Sequence, residues 1–152
     1  MDNPLIVRQA TIEDLEEVAI LFNEYRIFYK QKSDLEGARQ FLFERFEHCE
    51  SILFIATDTE LNRQVGFAQL YPSFSSVSME RSWILNDLYV ALEYRRRGVA
   101  QLLLDSVKSF AKKTKAKGIG LSTAIDNERA QRIYERNGYK KDEKFFHYYL
   151  NL

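Results

Sequence analysis

Between Ile84 and Gln101 the chain reads ILNDLYVALEYRRRGVAQ: a β-prone run, a short connection, then three arginines and a glycine at the head of an amphipathic helix. Val99, Leu103, Val107, Phe110 and Thr114 share one face of that helix, which the spacing extends over 98–114 with Gly118 as its C-cap. A buried strand feeding such a helix restricts the chain to folds in which helices pack on a sheet. It also creates a site. The first turn of a helix leaves backbone N–H groups without acceptors, and the helix dipole favours negative charge there. Gly98 allows close approach to the backbone and Ala100 adds almost no bulk, so Arg95, Arg96, Arg97, Gly98, Val99, Ala100 and Gln101 read as a phosphate cradle. No G-K-[ST] follows, which excludes a Walker loop, and G-x-G-x-x-G is absent. The competing reading is a solvated charged turn in which Gly98 merely starts the helix.

A second segment, Asn127–Tyr139 (NERAQRIYERNGY), reads as a helix over 127–137 closed by Gly138. Asn127 and Tyr134 are two turns apart on nearly the same face. Asn127 either caps the helix or donates its amide to a ligand, Ala130 leaves space between the two, and Tyr134 places a phenol on that face. The chain has nine tyrosines, so packing is the ordinary role for any one of them.

The remaining pattern frames these segments. Leu5–Val7 is β-prone, and Thr11 with Asp14 forms a capping box that opens a helix running to Lys30. Ser33 with Glu36 forms a second box, opening a helix to about His48. Strands are expected over Ser51–Thr57, Val65–Tyr71, Ser82–Val90, Ile119–Ala124 and Phe145–Leu150, with the serine-rich Pro72–Met79 as a connection able to form a lid. The order β-α-α-β-β-β-α-β-α-β describes a mixed α/β (α+β) domain over residues 1–152. Its expected centre is a mixed, mostly antiparallel sheet of about six to seven strands, flanked by about four helices.

Charge and cysteine usage narrow the function. The 22 basic and 22 acidic side chains cancel, which argues against a dedicated nucleic-acid binder. The single Cys49 excludes an internal disulfide and reads as an inert thiol in a reducing compartment. The opening MDNPLIVRQA lacks the basic and apolar regions of a secretory signal. The longest apolar runs, Val18–Phe22 and Ile52–Ala56, are too short to cross a bilayer. The expectation is a cytoplasmic protein with no membrane partner. His48 and His147 lack the partner spacing of a metal site, and no metal is expected.

Taken together, the two segments resemble the acyl-CoA-binding core of the GNAT superfamily of N-acetyltransferases. Members share a D-L-Y-V-like strand end, [QR]-x-x-G-x-[GA] on a helix, a further strand, and N-x-x-A-x-x-x-Y-x-x-x-G-[FY]. Here these are Asp87–Val90, Arg95 to Ala100, Ile119–Ala124, and Asn127, Ala130, Tyr134, Gly138 and Tyr139. The opening V-R-x-A-T-x-x-D (Val7 to Asp14) resembles the family's first strand and helix, so the likeness covers nearly the whole chain. The L-x-D-L-Y-V region is most similar to the spermidine/spermine-type, small-amine branch.

The resemblance implies an N-acetyltransferase that uses acetyl-CoA as co-substrate and transfers acetyl directly to an amine. Backbone groups of Leu88 and Val90, flanking Tyr89, would pair with the pantetheine arm, and the N–H groups of Arg96 to Gln101 would hold the pyrophosphate. Asn127 and Ala130 would line the pantetheine, and Tyr134 would protonate the departing thiolate, since a thiol near about 8.5 and a phenol near about 10 are close enough to share a proton. A strand N–H, that of Leu88, would polarise the thioester carbonyl. Small-amine relatives carry a carboxylate just before the conserved Asp, where this chain has Asn86. Proton removal from the amine then falls to Asp87, or to a water chain with Glu24, unless Asp87 is structural. The acceptor wall implied by the first two helices includes Tyr25 and Tyr29, with Asn86, Trp83 and Tyr71 facing it from the strands. The acceptor is a small-molecule amine, such as a polyamine or amino acid, or a protein amino group. Family members are often homodimers. The alternative reading is a non-catalytic acyl-CoA sensor of the same fold.

The neutral total hides opposite regions. Residues 11–60 carry 12 acidic and 5 basic side chains, whereas residues 91–120 carry 2 acidic and 8 basic. The basic stretch coincides with the cradle for a polyanionic CoA. The acidic stretch coincides with the helices expected to meet a cationic amine.

Overall fold

The computed structural model describes residues 3–152; Met1 and Asp2, the first residues of the opening MDNPLIVRQA, lie outside them. The chain forms two compact units, a larger one ending at Leu121 and a smaller one, Ser122–Leu152.

The larger unit is built on five strands in the order β1-β2-β3-β4-β5. These are β1 (Leu5–Gln9), β2 (Ile52–Asp58), β3 (Arg63–Ser75), β4 (Glu80–Val90) and β5 (Ile119–Gly120). The first three pairings are antiparallel and the last is parallel. The sheet is therefore mixed and mostly antiparallel, with one or two strands fewer than expected. Ile119–Ala124 contributes only a two-residue strand. The expected strand over Phe145–Leu150 does not form: a strand exists by pairing, and Ser122–Leu152 contains one helix and no paired strand.

Helices α1 (Leu15–Phe28) and α2 (Leu35–Glu47) cover one face. Val18, Leu21 and Phe22 of α1 and Leu42 of α2 pack there with Leu53, Ile55, Phe67 and Tyr89 from alternate strand positions. Helix α3 (Val99–Lys113) covers the other face, where Phe110 meets Phe54 and Trp83 at ring distances of 5.5 and 5.2 Å. The Thr11–Asp14 capping box is present, and Arg8 clamps Asp14 through both carboxylate oxygens at 2.6 and 2.8 Å. The second helix starts one residue later than expected. Asp34, not Ser33, caps it through the Gly37 N–H, while Ser33 bonds Asn23.

Two further expectations shift. Pro72–Ser75 continues β3, so the first half of the serine-rich stretch is hairpin arm and only its second half, residues 76–79, is turn. After α3 the left-handed residue is Lys115, not Gly118. In the smaller unit α4 (Glu128–Arg136) is capped by Asn127 and followed by left-handed Gly138, as the sequence suggests.

Candidate active site

The β3–β4 ladder carries one irregularity, and it shapes the site. Gln69 pairs with Asp87 and the next residue, Leu70, with Leu85, so Asn86 has no opposite number. This extra residue is a β-bulge, which re-aims the side chains beside it. The Asn86 amide donates to Asp87 Oδ1 at 3.2 Å and the Gln69 amide to Asp87 Oδ2 at 2.8 Å. Asp87 is 5% exposed and Gln69 is fully buried. Gln69 Nε2 also donates to the Tyr71 hydroxyl at 3.3 Å. Burial, with the Asp87 carboxylate adding to it, pushes the Tyr71 phenol up to about 12.

Beyond the bulge β4 loses its outer neighbour. It pairs with β5 only at Trp83 and Ile84, so among the described residues no strand borders Leu85–Val90 on that side. Ala91 N–H reaches back to Val65 of β3. By strand alternation, Leu88 and Val90 therefore turn their N–H groups to the open edge. The Val90 carbonyl is already taken, by Arg95 Nε at 3.0 Å.

The edge leads to a turn with two left-handed residues, Arg96 (φ 63°) and Gly98 (φ 80°), followed by α3. Such turns gather successive N–H groups into an anion-binding concavity. A Cβ at Gly98 would meet no atom within 4 Å, so the cradle is open there. Glycine at position 66 of β3 lets α3 sit close, since a Cβ there would lie 2.8 Å from the Tyr89 carbonyl oxygen and 3.2 Å from Val99 Cγ1. Close seating sets the helix N-terminus beside the end of β4.

The three arginines do different work. Arg95 lies over the Phe28 and Tyr89 rings at 4.8 and 5.8 Å, tying α1 to β4. Arg97 stacks 4.6 Å from the centre of the Tyr94 ring, and the Tyr94 hydroxyl donates to buried Asp58 at 2.7 Å. Arg96 is exposed and makes no side-chain bond among the described residues.

Of the expected acceptor residues, Tyr25 and Tyr29 stand together at the end of α1, rings 5.0 Å apart, and Tyr25 also meets Phe67 and Tyr89. Tyr89 itself is buried under α1, and by the same alternation its backbone groups turn to β3. Trp83 is not with them. It is buried on the α3 face, its indole N–H bonded to Thr114 at 2.9 Å. Strict alternation from Tyr89 and Asp87 would put Trp83 on their face, but the extra residue Asn86 reverses the phase. Sequence reading also missed Gln69, which sits in an otherwise apolar strand run and whose signal was that polar exception.

In the smaller unit Asn127 Oδ1 accepts from Ala130 N–H at 3.2 Å, leaving its amide nitrogen to point elsewhere. Tyr134 is half-buried and meets Tyr139 edge-on at 5.8 Å. Among the described residues no group of three or more metal-ligating side chains comes together, and no helix is long and apolar enough to cross a membrane.

The chain is similar to known proteins. The model of the acetyltransferase (GNAT) family matches residues 15–139. An uncharacterized N-acetyltransferase of Bacillus subtilis, YhfO, is 47% identical over 146 residues, spanning 96% of this chain and 97% of that protein. A D-amino-acid N-acetyltransferase of Saccharomyces cerevisiae is 30% identical over 148 residues, spanning 96% of this chain and 91% of that protein. A crystal structure of a probable acetyltransferase superposes with a TM-score of 0.93 at 46% identity, covering 97% of each chain.

Proposed function

The chain belongs to the GNAT family of acetyltransferases, and we propose that it transfers acetyl from acetyl-CoA to a primary amine of a small molecule, polyamine-like or amino-acid-like, or of a protein lysine. The observation that carries this reading is the open β4 edge running into a left-handed turn at Arg96 and Gly98 and then into the α3 N-terminus. An edge with outward N–H groups suits a pantetheine arm, and a nest of N–H groups at a helix start suits its pyrophosphate. The residues present therefore fit the co-substrate.

Acetyl-CoA supplies the activated acetyl thioester. The chain's own groups do the rest. Leu88 N–H is placed on the open edge to receive the carbonyl oxygen as charge develops. Asp87, held by two amide donors at the bulge, accepts the proton of the amine. Tyr134, with Asn127 and Ala130 on its helix, is proposed as the acid for the departing thiolate. Tyr25 and Tyr29 form an aromatic wall for the acceptor, and Asn86, beside Asp87, is a further acceptor contact in this reading. The likeness to a D-amino-acid N-acetyltransferase supports amino acids in the acceptor class. One domain over residues 1–152, a homodimer and a cytoplasmic setting belong to the same proposal.

The test is thiol release from acetyl-CoA across a panel of polyamines, D- and L-amino acids and lysine peptides, with light scattering for the oligomer. Turnover with one amine class is expected. Acetyl-CoA binding without turnover on any amine makes the chain a sensor, and no binding at high concentration ends the reading.

A further inference from the structure

Under the α1–α2 face lies a polar island that a purely structural role does not explain. Gln69 is fully buried in the middle of β3. Its amide nitrogen uses both hydrogens, one on Asp87 Oδ2 at 2.8 Å and one on the Tyr71 hydroxyl at 3.3 Å. Its amide oxygen is buried and accepts nothing among the described residues. Buried acceptors are normally paired, and an orphan calls for a reason. The orientation of the amide is settled chemically, because an ionised carboxylate only accepts and so selects the NH₂ end.

We propose that Gln69 is a positioning residue for Asp87: with its amide nitrogen between the Asp87 carboxylate and the Tyr71 hydroxyl and its oxygen unengaged, it holds the carboxylate for the amine proton and turns its amide when that proton arrives. The inference rests on the acetyl-transfer reading. As the amine attacks, its N–H bond breaks, the proton forms an O–H bond on Asp87, and the freed pair attacks the thioester carbon. Asp87 Oδ2–H then faces an N–H, donor against donor. A half-turn of the Gln69 amide breaks its two N–H hydrogen bonds and brings its oxygen to that proton. The NH₂ group takes the oxygen's former place, where nothing among the described residues accepts from it, so the turned state lasts only while Asp87 carries the proton. The Tyr71 hydroxyl, which donates as well as accepts, changes from acceptor to donor at the same moment. Its raised phenol keeps the proton that this exchange needs.

Other groups bear on Asp87 from each side. Tyr71 faces it from β3, and Arg45 acts on Tyr71 from α2, with Glu44 at 3.4 Å and Glu50 at 3.2 Å as Arg45's own partners. From α1, Glu24 acts on neighbouring Tyr89, as does Arg95 from the turn after β4. None of these donates to the Asp87 carboxylate among the described residues, so Gln69 and Asn86 govern its hydrogen bonding.

The experiment combines the pH profile of kcat with side-chain amide NMR of the full chain. Gln69→Met removes both amide functions and should move the acidic limb of kcat up by about one pH unit, with KM for acetyl-CoA within twofold of wild type. Tyr71→Phe keeps the volume and should move the limb the same way by less. In the wild-type chain the Gln69 amide resonances should titrate at the midpoint of that limb, and in Asp87→Asn they should not. Turnover with an unmoved limb in both variants, or with a pH-invariant Gln69 amide, overturns the inference alone. Absence of turnover in the wild type, with the amide still titrating, overturns the transferase reading while the amide response stands.

Discussion

Val99, the first residue of α3, sits directly over Gly66 of β3: a Cβ on Gly66 would stand 3.2 Å from Val99 Cγ1 and 2.8 Å from the carbonyl oxygen of Tyr89. The second distance is to backbone, which cannot swing away, so Gly66→Ala must lift the helix or bend β4. Overpacking of this kind costs about 1–3 kcal/mol, and for a chain of this length each kcal/mol lowers Tm by about 2–4 °C. Because the displaced element is the helix start at the open edge, KM for acetyl-CoA should rise as well. Thermal melts and initial rates on the same preparation check both. An unchanged Tm would mean that α3 is not seated as described.

The separate environments of the three arginines predict separate phenotypes. Arg96 is exposed and makes no side-chain bond among the described residues, so Arg96→Ala should leave Tm unchanged while raising KM for acetyl-CoA by about tenfold, the loss of one charge-assisted phosphate contact. Arg95→Ala removes a bond to the Val90 carbonyl and a guanidinium lying over Phe28, so it should lower Tm and disturb the acceptor side together. Gly98→Ala forces a Cβ into the left-handed region at φ 80°, costing about 1–2 kcal/mol, and narrows the cradle. A uniform response across the triplet would contradict this division of labour.

How far the sequence alone reaches depends on whether a feature is local. The Thr11–Asp14 box, the Asn127 cap and left-handed Gly138 are set by residues within one turn, and each is found where the sequence places it. Strand phase is different, because it accumulates along the strand. One unpaired residue, Asn86, sends Trp83 to the α3 face, and nothing in the letters marks a bulge there. Arg95 to Arg97 read as one basic run, yet their partners Val90, Phe28 and Tyr94 are chosen by tertiary packing. Gln69 was missed for the same reason: its meaning depends on Asp87, eighteen residues away and opposite it in the ladder. The extent of β3 past Pro72 is likewise set by its pairing with Glu80–Trp83.

The Tyr94–Asp58 bond predicts how stability depends on pH. The Tyr94 hydroxyl, with the Leu61 and Glu60 N–H groups behind it, holds Asp58 below the usual carboxylate range, and the same bond raises Tyr94. A lowered acid stabilises the fold above its unfolded value of about 3.9, and that contribution is lost as pH falls through the folded value. A raised phenol stabilises below about 10, and its contribution is lost as pH rises through its folded value. Asp14, lowered chiefly by Arg8, adds to the acid side. Tm plotted against pH should therefore fall below about 4 and again above about 10. Asp58→Asn should flatten both falls in part: burial raises Tyr71, Tyr89 and Tyr139 too, and they keep the rest of the alkaline fall, while Asp14→Asn removes a further share of the acid one.

The two proposed proton transfers separate kinetically. Tyr134→Phe deletes only a hydroxyl, so the thiolate must leave unassisted. Loss of general-acid help costs about 10²-fold or more in kcat, while the co-substrate still binds and KM for acetyl-CoA stays within twofold. Asp87→Asn acts on the other proton. It too should lower kcat by about 10²-fold, but it also replaces the charged acceptor of two amide donors with a neutral amide. Even with the Gln69 amide turned to accept from it, the lost charge assistance costs about 1 kcal/mol, so Tm falls in Asp87→Asn. Raising the pH should partly restore Asp87→Asn, because a free amine with a pKa near about 10 then arrives already deprotonated, whereas Tyr134→Phe gains nothing from it. Rates for both variants between pH 7 and about 10, the range over which the free amine increases, decide the assignment. Recovery of the wrong variant would exchange the roles of base and acid, and recovery of neither would remove Asp87 from proton transfer.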